Sequence, residues 1–502
     1  MTKRINRRKD TVIKMKTILA AALVCALAFA TTGAQAEDIN TRIGKLSFTH
    51  DFANGYPTKE TVEKLYDERD FQRACQAYIW AIPAVTFGEV ERVLMQPKGA
   101  AHGDIISVVD FPDLSRFLTA NATTPYTMAW LNLEKSGPYV IELPAGQIAG
   151  FVDDLWQRPV TDLGEPGPDK GQGGKYLVLG PGQTAPEGAK GFIVVNSSTV
   201  NNLLLLRLLA TDPKEQQATL EKIRLYPLSQ QANPPATKVL RLDKGGRSLA
   251  NAPRSMAYWE TLSRLINEEP VHERDRMMMA MLRPLGIEKG KPFNPDARQK
   301  KILTEAVLVG EAMAKANDFD KRQMELSHYA AGSRWDFALA LNVNQEAEFY
   351  TQLDERAAWT YEASCTSAGM VTKTPGVGSV YLGAYKDKAG DWLDGANTYR
   401  LHVPPNAPVK QFWSLTVYDV DTRMLIQNKE QKADRSSRQP DLVKNADGSV
   451  DLYVAPKAPA GFEKNWIPSV PGKAWFSYFR LYAPTEAHFN RTWILPDIEK
   501  VK

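Results

Sequence analysis

Twice along this 502-residue chain the apolar residues fall into a period of two, in short runs broken by Gly, Pro and Asn. The first block holds "TPYTMAWLNLE", "GPYVIELP", "GFVDDLWQRPV", "GKYLVLGPG" and "GFIVVNS"; the second holds "GSVYLGAYKD", "TYRLHVPP", "KQFWSLTVYDV", "SVDLYVAP" and "AWFSYFRLYAP". Side chains alternate across a strand, so each run offers a sheet one apolar face. Many short strands joined by turn residues predict a β-sandwich in the first block and an antiparallel sandwich or jelly roll in the second.

Elsewhere the period is helical. Val62, Leu65, Tyr66, Ala74, Ala77, Tyr78 and Ala81 predict a leading helix from Thr58, closing at Pro83. From Thr199 on, "NNLLLLRLLATDPKEQQATLEKIRLYPL", "SMAYWETLSRLINEEPVHERDRMMMAMLRPLGI", "DARQKKILTEAVLVGEAMAKANDFD" and "LDERAAWTYEASCTSAGMV" read as helices, with Met277 to Met279 as core filler. The expected organisation is a signal peptide over 1–36, a β-sandwich with a leading helix over 37–200, a helical region over 201–370 and a second β-domain over 371–502. The fold class is therefore mainly β with a helical insert, α+β overall.

The opening of the chain is basic, then apolar ("TILAAALVCALAFATTGAQA"), and ends in Ala34-Gln35-Ala36, which predicts signal-peptidase cleavage before Glu37. Met15 is an alternative start. The apolar core is shorter than the ~20 residues of a membrane span, so periplasmic or secreted export is expected, with no transmembrane span left. The formal net charge of +4 comes largely from this leader, leaving no basic stripe to suit nucleic acid. Of the remaining cysteines, Cys75 and Cys365, spacing does not say whether they pair.

Several chemistries are missing from the sequence. "HERDR" at His272 to Arg276 has Arg where HExxH needs its second ligand, and the six histidines are dispersed. "GVGSV" lacks the second glycine of a nucleophile elbow. "GQGGK" at Gly171 to Lys175 lacks the spacer of a phosphate loop and reads as a turn. No metal or cofactor is expected.

What remains are arginines and aromatics on strand faces. In "VDDLWQRPVTD", read as extended, Asp154, Trp156 and Arg158 share a face, and Arg158 is held extended by Pro159. Arg158 with Asp162 close by suits a carboxylate or an array of hydroxyls; the other reading is an internal Arg–Asp bridge that ties down the loop. In the second block Arg400 pairs with His402 on one face, Tyr418 with Ser414 and Thr416, and Arg480 with Phe476, Tyr478 and Tyr482. Such faces carry too many aromatics and too few Lys and Glu for open solvent. They line a sheltered concavity, or they pack on the helices.

"TPYTMAWLNLE", "GPYVIELP" and "WQRPVTDLGEPGPDKGQGGKYLVLGPG" resemble the amino-terminal domain-of-unknown-function family 1254. "KQFWSLTVYDVDTRMLI" and the stretch from "SSRQPDLVKNADGSVDLYVAP" to "RTWILPDIE" resemble family 1214. The resemblance implies an immunoglobulin-like sandwich, a helical region and a carboxy-terminal jelly roll in exported bacterial envelope proteins, without assigning an activity.

The first functional expectation is a periplasmic protein that binds a small organic or carbohydrate-like ligand, lined by Arg158 and Asp162 in the first domain and by Arg400, Tyr418, Arg480 and Tyr482 in the last. The second is a metal-independent hydrolase or lyase with Asp153, Asp154 or Asp162 as base. The third is a structural module that self-associates into a homo-oligomer through its β faces.

Overall fold

In the computed structural model, which describes residues 36–187, 189–242, 250–322 and 324–501, the leucine run Asn201–Leu208 is a strand. It lies at the heart of a six-stranded sheet in the order Val239–Arg241, Ile105–Val108, Tyr126–Asn132, Asn201–Leu208, Ile148–Asp154 and Pro159–Gly164. The helical expectation for this run fails because a central strand buried on both faces loses its alternation and reads as continuously apolar. Leu204 and Leu206 point into the sandwich core, whereas Leu203, Leu205 and Arg207 point out of its back face. The first β-domain therefore does not end at residue 200.

Its second layer runs Arg224–Pro227, Tyr139–Leu143, Gly174–Leu179 and Ile193–Asn196. Ile141, Tyr176 and Val178 of this sheet close on Ala129, Leu131, Val152 and Leu204 of the first. The leader, save Ala36, lies outside the described residues. The amino-terminal unit, ending at Gln72, holds the antiparallel hairpin Glu37–Thr41 and Gly44–Phe48 and the first turns of the helix Lys59–Met95. That helix does not close at Pro83. Val85, Phe87, Val90, Val93 and Leu94 beyond it are all buried, and their packing outweighs the missing backbone donor.

The second β-domain stacks a five-stranded sheet, Trp335–Phe337, Ser379–Ala384, Trp475–Pro484, Val409–Asp419 and Asp434–Ser436, with a four-stranded one, Trp466–Pro468, Val450–Ala455, Thr398–Val403 and Glu499–Val501. Every residue of Trp475–Pro484 is buried. Because Trp335–Phe337 pairs with Ser379–Ala384, this domain draws a strand from before residue 371. Helix and strand are nearly balanced, at 29% and 27%, but four sheets carry the architecture; the helices Ala297–Phe319 and Leu353–Glu362 meet the five-stranded sheet through Phe319 on Phe476 and Trp359 on Tyr478, and Ala257–Glu268 meets Lys59–Met95 through Tyr258 on Tyr78.

Asp296 opens Ala297–Phe319 with a capping box to Gln299. Within that helix Gly310 sits against the Tyr78 ring, where an added Cβ would meet ring atoms at 2.6 Å. Tyr78 in turn stacks on Tyr258 at 4.3 Å. Gly310→Ala is expected to lower stability by about 1–2 kcal/mol, as overpacking does; denaturant unfolding measures it. In the methionine run only Met278 is buried, while Met277 is 66% exposed.

Candidate functional site

The stretch from Asp153 folds as a hairpin, not as one extended strand. Gln157 at φ 57 turns the chain between Ile148–Asp154 and Pro159–Gly164. Asp154 Oδ1 accepts the Trp156 and Arg158 amides at 2.9 and 3.0 Å, and its Oδ2 accepts Arg158 Nε at 3.0 Å and Ser198 Oγ at 2.9 Å. Arg158 is thus the internal bridge of its own turn. Arg158→Ala is expected to destabilise the protein by about 1–2 kcal/mol without changing ligand affinity, as paired unfolding and calorimetric titrations will read. The glycines that follow are turn glycines: Gly164, Gly171 and Gly173 all have positive φ, and Asp169 Oδ1 ties the loop by accepting Gly164 N and Tyr176 Oη.

Asp153, Gln157 and Asp162 share a second task, holding the segment from Ser364 to Gly378. Gln157 Oε1 accepts Cys365 N at 2.7 Å, Asp153 Oδ2 accepts Thr366 N at 2.9 Å and Asp162 Oδ2 accepts Gly369 N at 2.9 Å. Cys365 is pinned at φ 77. Burial pushes its thiol well up, so the sulfur stays protonated; Cys75 and Cys365 form no disulfide with each other. Burial also raises the Asp153 carboxyl, and it raises Asp162 to about 6 against the Gly369 and Ala368 amides. The second oxygen of each carboxyl has no partner.

Behind this segment the back face of the first sandwich meets the outer face of the second, opposite the face on which Trp475 packs against Tyr399 of the other layer, and a cavity of about 60 Å³ lies between them. Val90, Phe117, Met128, Leu203 and Leu205 form its apolar wall, and Cys365 and Met370 border it. Two guanidiniums converge on it. Arg207 comes from the first domain and Arg480 from the second.

Neither arginine has an ion pair with a carboxylate among the described residues. Arg480 is 2% exposed and donates to Thr119 O at 2.8 Å and Thr416 Oγ1 at 3.0 Å, and its Nε has no partner. Arg207 is half-buried, also with an unpartnered, solvent-shielded Nε. The acid that feels Arg480 most is Asp434; burial raises it to about 6, against the Thr123 hydroxyl and the Arg480 charge. Tyrosines take the place of acids. Tyr381 is the cross-strand neighbour of Arg480, whose guanidinium lies 5.2 Å from its ring and 5.6 Å from that of Tyr418. Tyr418 Oη donates to Ala120 O at 2.9 Å, and Tyr482 Oη accepts from Asn121 Nδ2 at 2.6 Å.

The charges leave a mark on these phenols. Burial pushes Tyr126, Tyr418 and Tyr482 up. At Tyr381 burial pushes the same way, but the charges of Arg207 and Arg480, helped by hydrogen bonds from Ser379 and Arg207, hold the phenol below the ordinary tyrosine range. The cavity is positively charged and apolar at once.

A second hollow of about 200 Å³ adjoins the first and shares Phe151, Arg207 and Met370 with it. Gly150, Gly369, Gly376 and Gly378 line it. It reaches the surface at Glu165, Val377 and Gln411, which are exposed. Gly378, at φ 71, could not carry a side chain, since a Cβ there would meet Gly369 O at 2.2 Å. Arg207 therefore stands where the two hollows meet.

Of the residues singled out from sequence, the structure brings Arg480, Tyr418 and Tyr482 together around this cavity and sets Asp162 behind the adjoining hollow. Arg400 is elsewhere. It lies on the four-stranded sheet, paired with Glu499 at 3.0 Å, while His402 pairs with Asp451 at 2.9 Å. Sequence reasoning missed Arg207, Tyr381 and Tyr126. A signal for Arg207 was present: a cation interrupting "LLLLRLL" on the same strand face as Leu203 and Leu205. Among the described residues no group of three or more His, Cys, Asp or Glu gathers as metal ligands, and no helix is long and apolar enough to cross a membrane.

Residues 106–227 match the family described as protein of unknown function (DUF1254), and residues 378–486 match protein of unknown function (DUF1214). The two matches lie in that order along the chain, and each matched stretch holds one of the two cavity arginines. No curated protein matches it. Among solved structures, the VPA0106 protein from Vibrio parahaemolyticus is similar, with 17% identity, 86% of this chain and 100% of that chain covered, and a TM-score of 0.55. An uncharacterized protein from Burkholderia cenocepacia gives 12% identity, 88% and 97% coverage and a TM-score of 0.41. The likeness to the first is one of fold.

Proposed function

We propose that this chain, which joins the two domains of unknown function, is an exported periplasmic protein that binds a small organic anion in the cavity between its β-sandwiches. One observation carries the reading: two guanidiniums, one from each domain, face a single apolar cavity, and among the described residues neither forms an ion pair with a carboxylate. A buried cation without a counter-ion is costly, by several kcal/mol per ion, and a ligand carboxylate accepting from both arginines offsets that cost. The apolar wall and the ring of tyrosines suit the organic body of such a ligand better than an inorganic ion. Isothermal titration with short carboxylic acids tests this. The expected result is one-to-one binding of branched acids such as isovalerate and none of the corresponding alcohols; equal binding of acid and alcohol would refute it.

A second reading, turnover of the bound anion by a metal-independent hydrolase or lyase, is favoured by the placement of titratable groups. Tyr381 borders the cavity with its phenol held low, and Asp162 stands behind the adjoining hollow at about 6. Asp153 is fully enclosed and Asp154 is committed to Arg158, so neither reaches a ligand as a base. Tyr381→Phe separates the readings. It leaves affinity for the anion largely intact in both, and abolishes product formation only if the protein is an enzyme.

A further inference from the structure

Between the helix Leu353–Glu362 and the strand Ser379–Ala384 the chain runs as a strap over both hollows. Cys365 lines the arginine cavity, Gly369, Gly376 and Gly378 line the adjoining hollow, and Met370 lines both. Every residue that lines the arginine cavity is buried except Tyr126, Arg207 and Ser364, which are half-buried. A ligand therefore enters where part of this wall moves.

The strap is pinned at its ends and held lightly between them. At one end Cys365 N donates to Gln157 Oε1 at 2.7 Å, Trp359 Nε1 donates to Cys365 O at 2.8 Å and Thr366 N donates to Asp153 Oδ2 at 2.9 Å. At the other, Gly376 N donates to Pro484 O at 2.6 Å and Ala483 N donates to Gly378 O at 2.7 Å. From Ser367 to Pro375, among the described residues, the hydrogen bonds that leave the strap go to one side chain, Asp162, which accepts the Gly369 amide at 2.9 Å and bonds that of Ala368. Met370 is the one apolar side chain of that stretch that is buried, while Lys373 and Thr374 are exposed. Positive-φ residues, Cys365 at 77 and Gly376 at 81, flank it as turning points. A stretch with so few bonds and buried contacts opens well below the free energy of global unfolding.

We propose that Ser367 to Pro375 is a gate: it leaves Asp162 as a local unit, carries Met370 out from between the two hollows and opens the arginine cavity to solvent. Its use as an entrance rests on the reading that the cavity is a binding site, but the motion needs no ligand to be seen. Cys365 reports it, because its side chain borders the cavity that Met370 covers. Cys75, 2% exposed in the helix Lys59–Met95, is the reference for global unfolding.

Thiol labelling by dithiodipyridine, read at each cysteine by peptide mass, and amide exchange of the Ser367–Pro375 peptide are measured on the native protein at several urea concentrations below unfolding. Cys365 is expected to label roughly tenfold or more faster than Cys75, at a rate nearly flat in urea, because local opening exposes little surface. Met370→Ala, which removes the buried anchor, is expected to speed Cys365 labelling and exchange of the strap by the same factor, roughly tenfold or more. The gate is refuted if Cys365 follows the urea dependence of Cys75, or if Met370→Ala speeds labelling and leaves exchange unchanged, which would mean a hole in a fixed wall. Saturating isovalerate is expected to slow Cys365 labelling. If labelling is local and isovalerate has no effect on it, the anion reading falls and the gate stands; if isovalerate binds by calorimetry and Cys365 labels only with Cys75, the gate falls and the anion reading stands.

Discussion

Arg480→Met is expected to lower affinity for isovalerate by roughly 10- to 100-fold while leaving the melting temperature within a few degrees of the native chain, and Arg207→Met is expected to do the same. The affinity loss follows from deleting a charge-assisted contact of about 1.5–3 kcal/mol. The small stability change follows from the absence of an ion pair. Replacing a buried charge that has its salt-bridge partner leaves that partner stranded and is strongly destabilising, but Arg480 contacts a carbonyl and a hydroxyl, and the acid that feels its charge, Asp434, keeps the Thr123 hydroxyl. An apolar chain of similar length refills the space. Calorimetry and thermal unfolding on the same samples separate the outcomes: unchanged affinity, or a collapse in stability with affinity lost only through unfolding, would make the arginines structural.

The second large effect is a pH dependence. Asp162 is raised by burial to about 6 from an ordinary 3.8, so between those values the folded chain keeps a proton that the unfolded chain has released. Stability from this group is full below about pH 4 and declines as pH rises to about 6, after which it stays low. The shift corresponds to about 3 kcal/mol, and partial exposure reduces it to about 2. Asp162→Asn keeps the acceptor for the Gly369 amide and cannot ionise. Urea unfolding of both chains at pH 4.5 and pH 7 is expected to show the asparagine variant gaining about 1 kcal/mol over the native chain across that interval. Parallel pH dependence in the two would place the Asp162 carboxyl in solvent and detach it from the segment it holds.

How far the fold was legible depends on whether an element had one wet face. Strands such as Thr398–Val403 and Val450–Ala455 alternate between buried and part-exposed residues, and alternation broken by Gly, Pro and Asn is the pattern from which they were read. Asn201–Leu208 and the far half of Lys59–Met95 are buried over most of their residues, and there local pattern and local breakers give way to tertiary packing. The same reasoning explains the site. Arg480 and Tyr482 were chosen because a cation and aromatics on one strand face signal shelter. Arg400 carried the same signal at a position where a surface partner, Glu499, arrives only through the last strand. Arg207 went unread because its strand was taken for a helix, which scatters Leu203, Leu205 and Arg207 around a cylinder instead of aligning them. The meeting of Arg207 with Arg480 joins residues 273 positions apart, and nothing in either local pattern encodes it.

Native mass spectrometry of the protein purified from the cells that make it, beside an Arg207→Met/Arg480→Met double variant, addresses the central claim most directly. The account predicts a stoichiometric adduct in the native chain, identified on denaturation as a small organic acid, and its disappearance from a folded double variant. A bound metal, a neutral molecule, or an acid that persists in the double variant would contradict it.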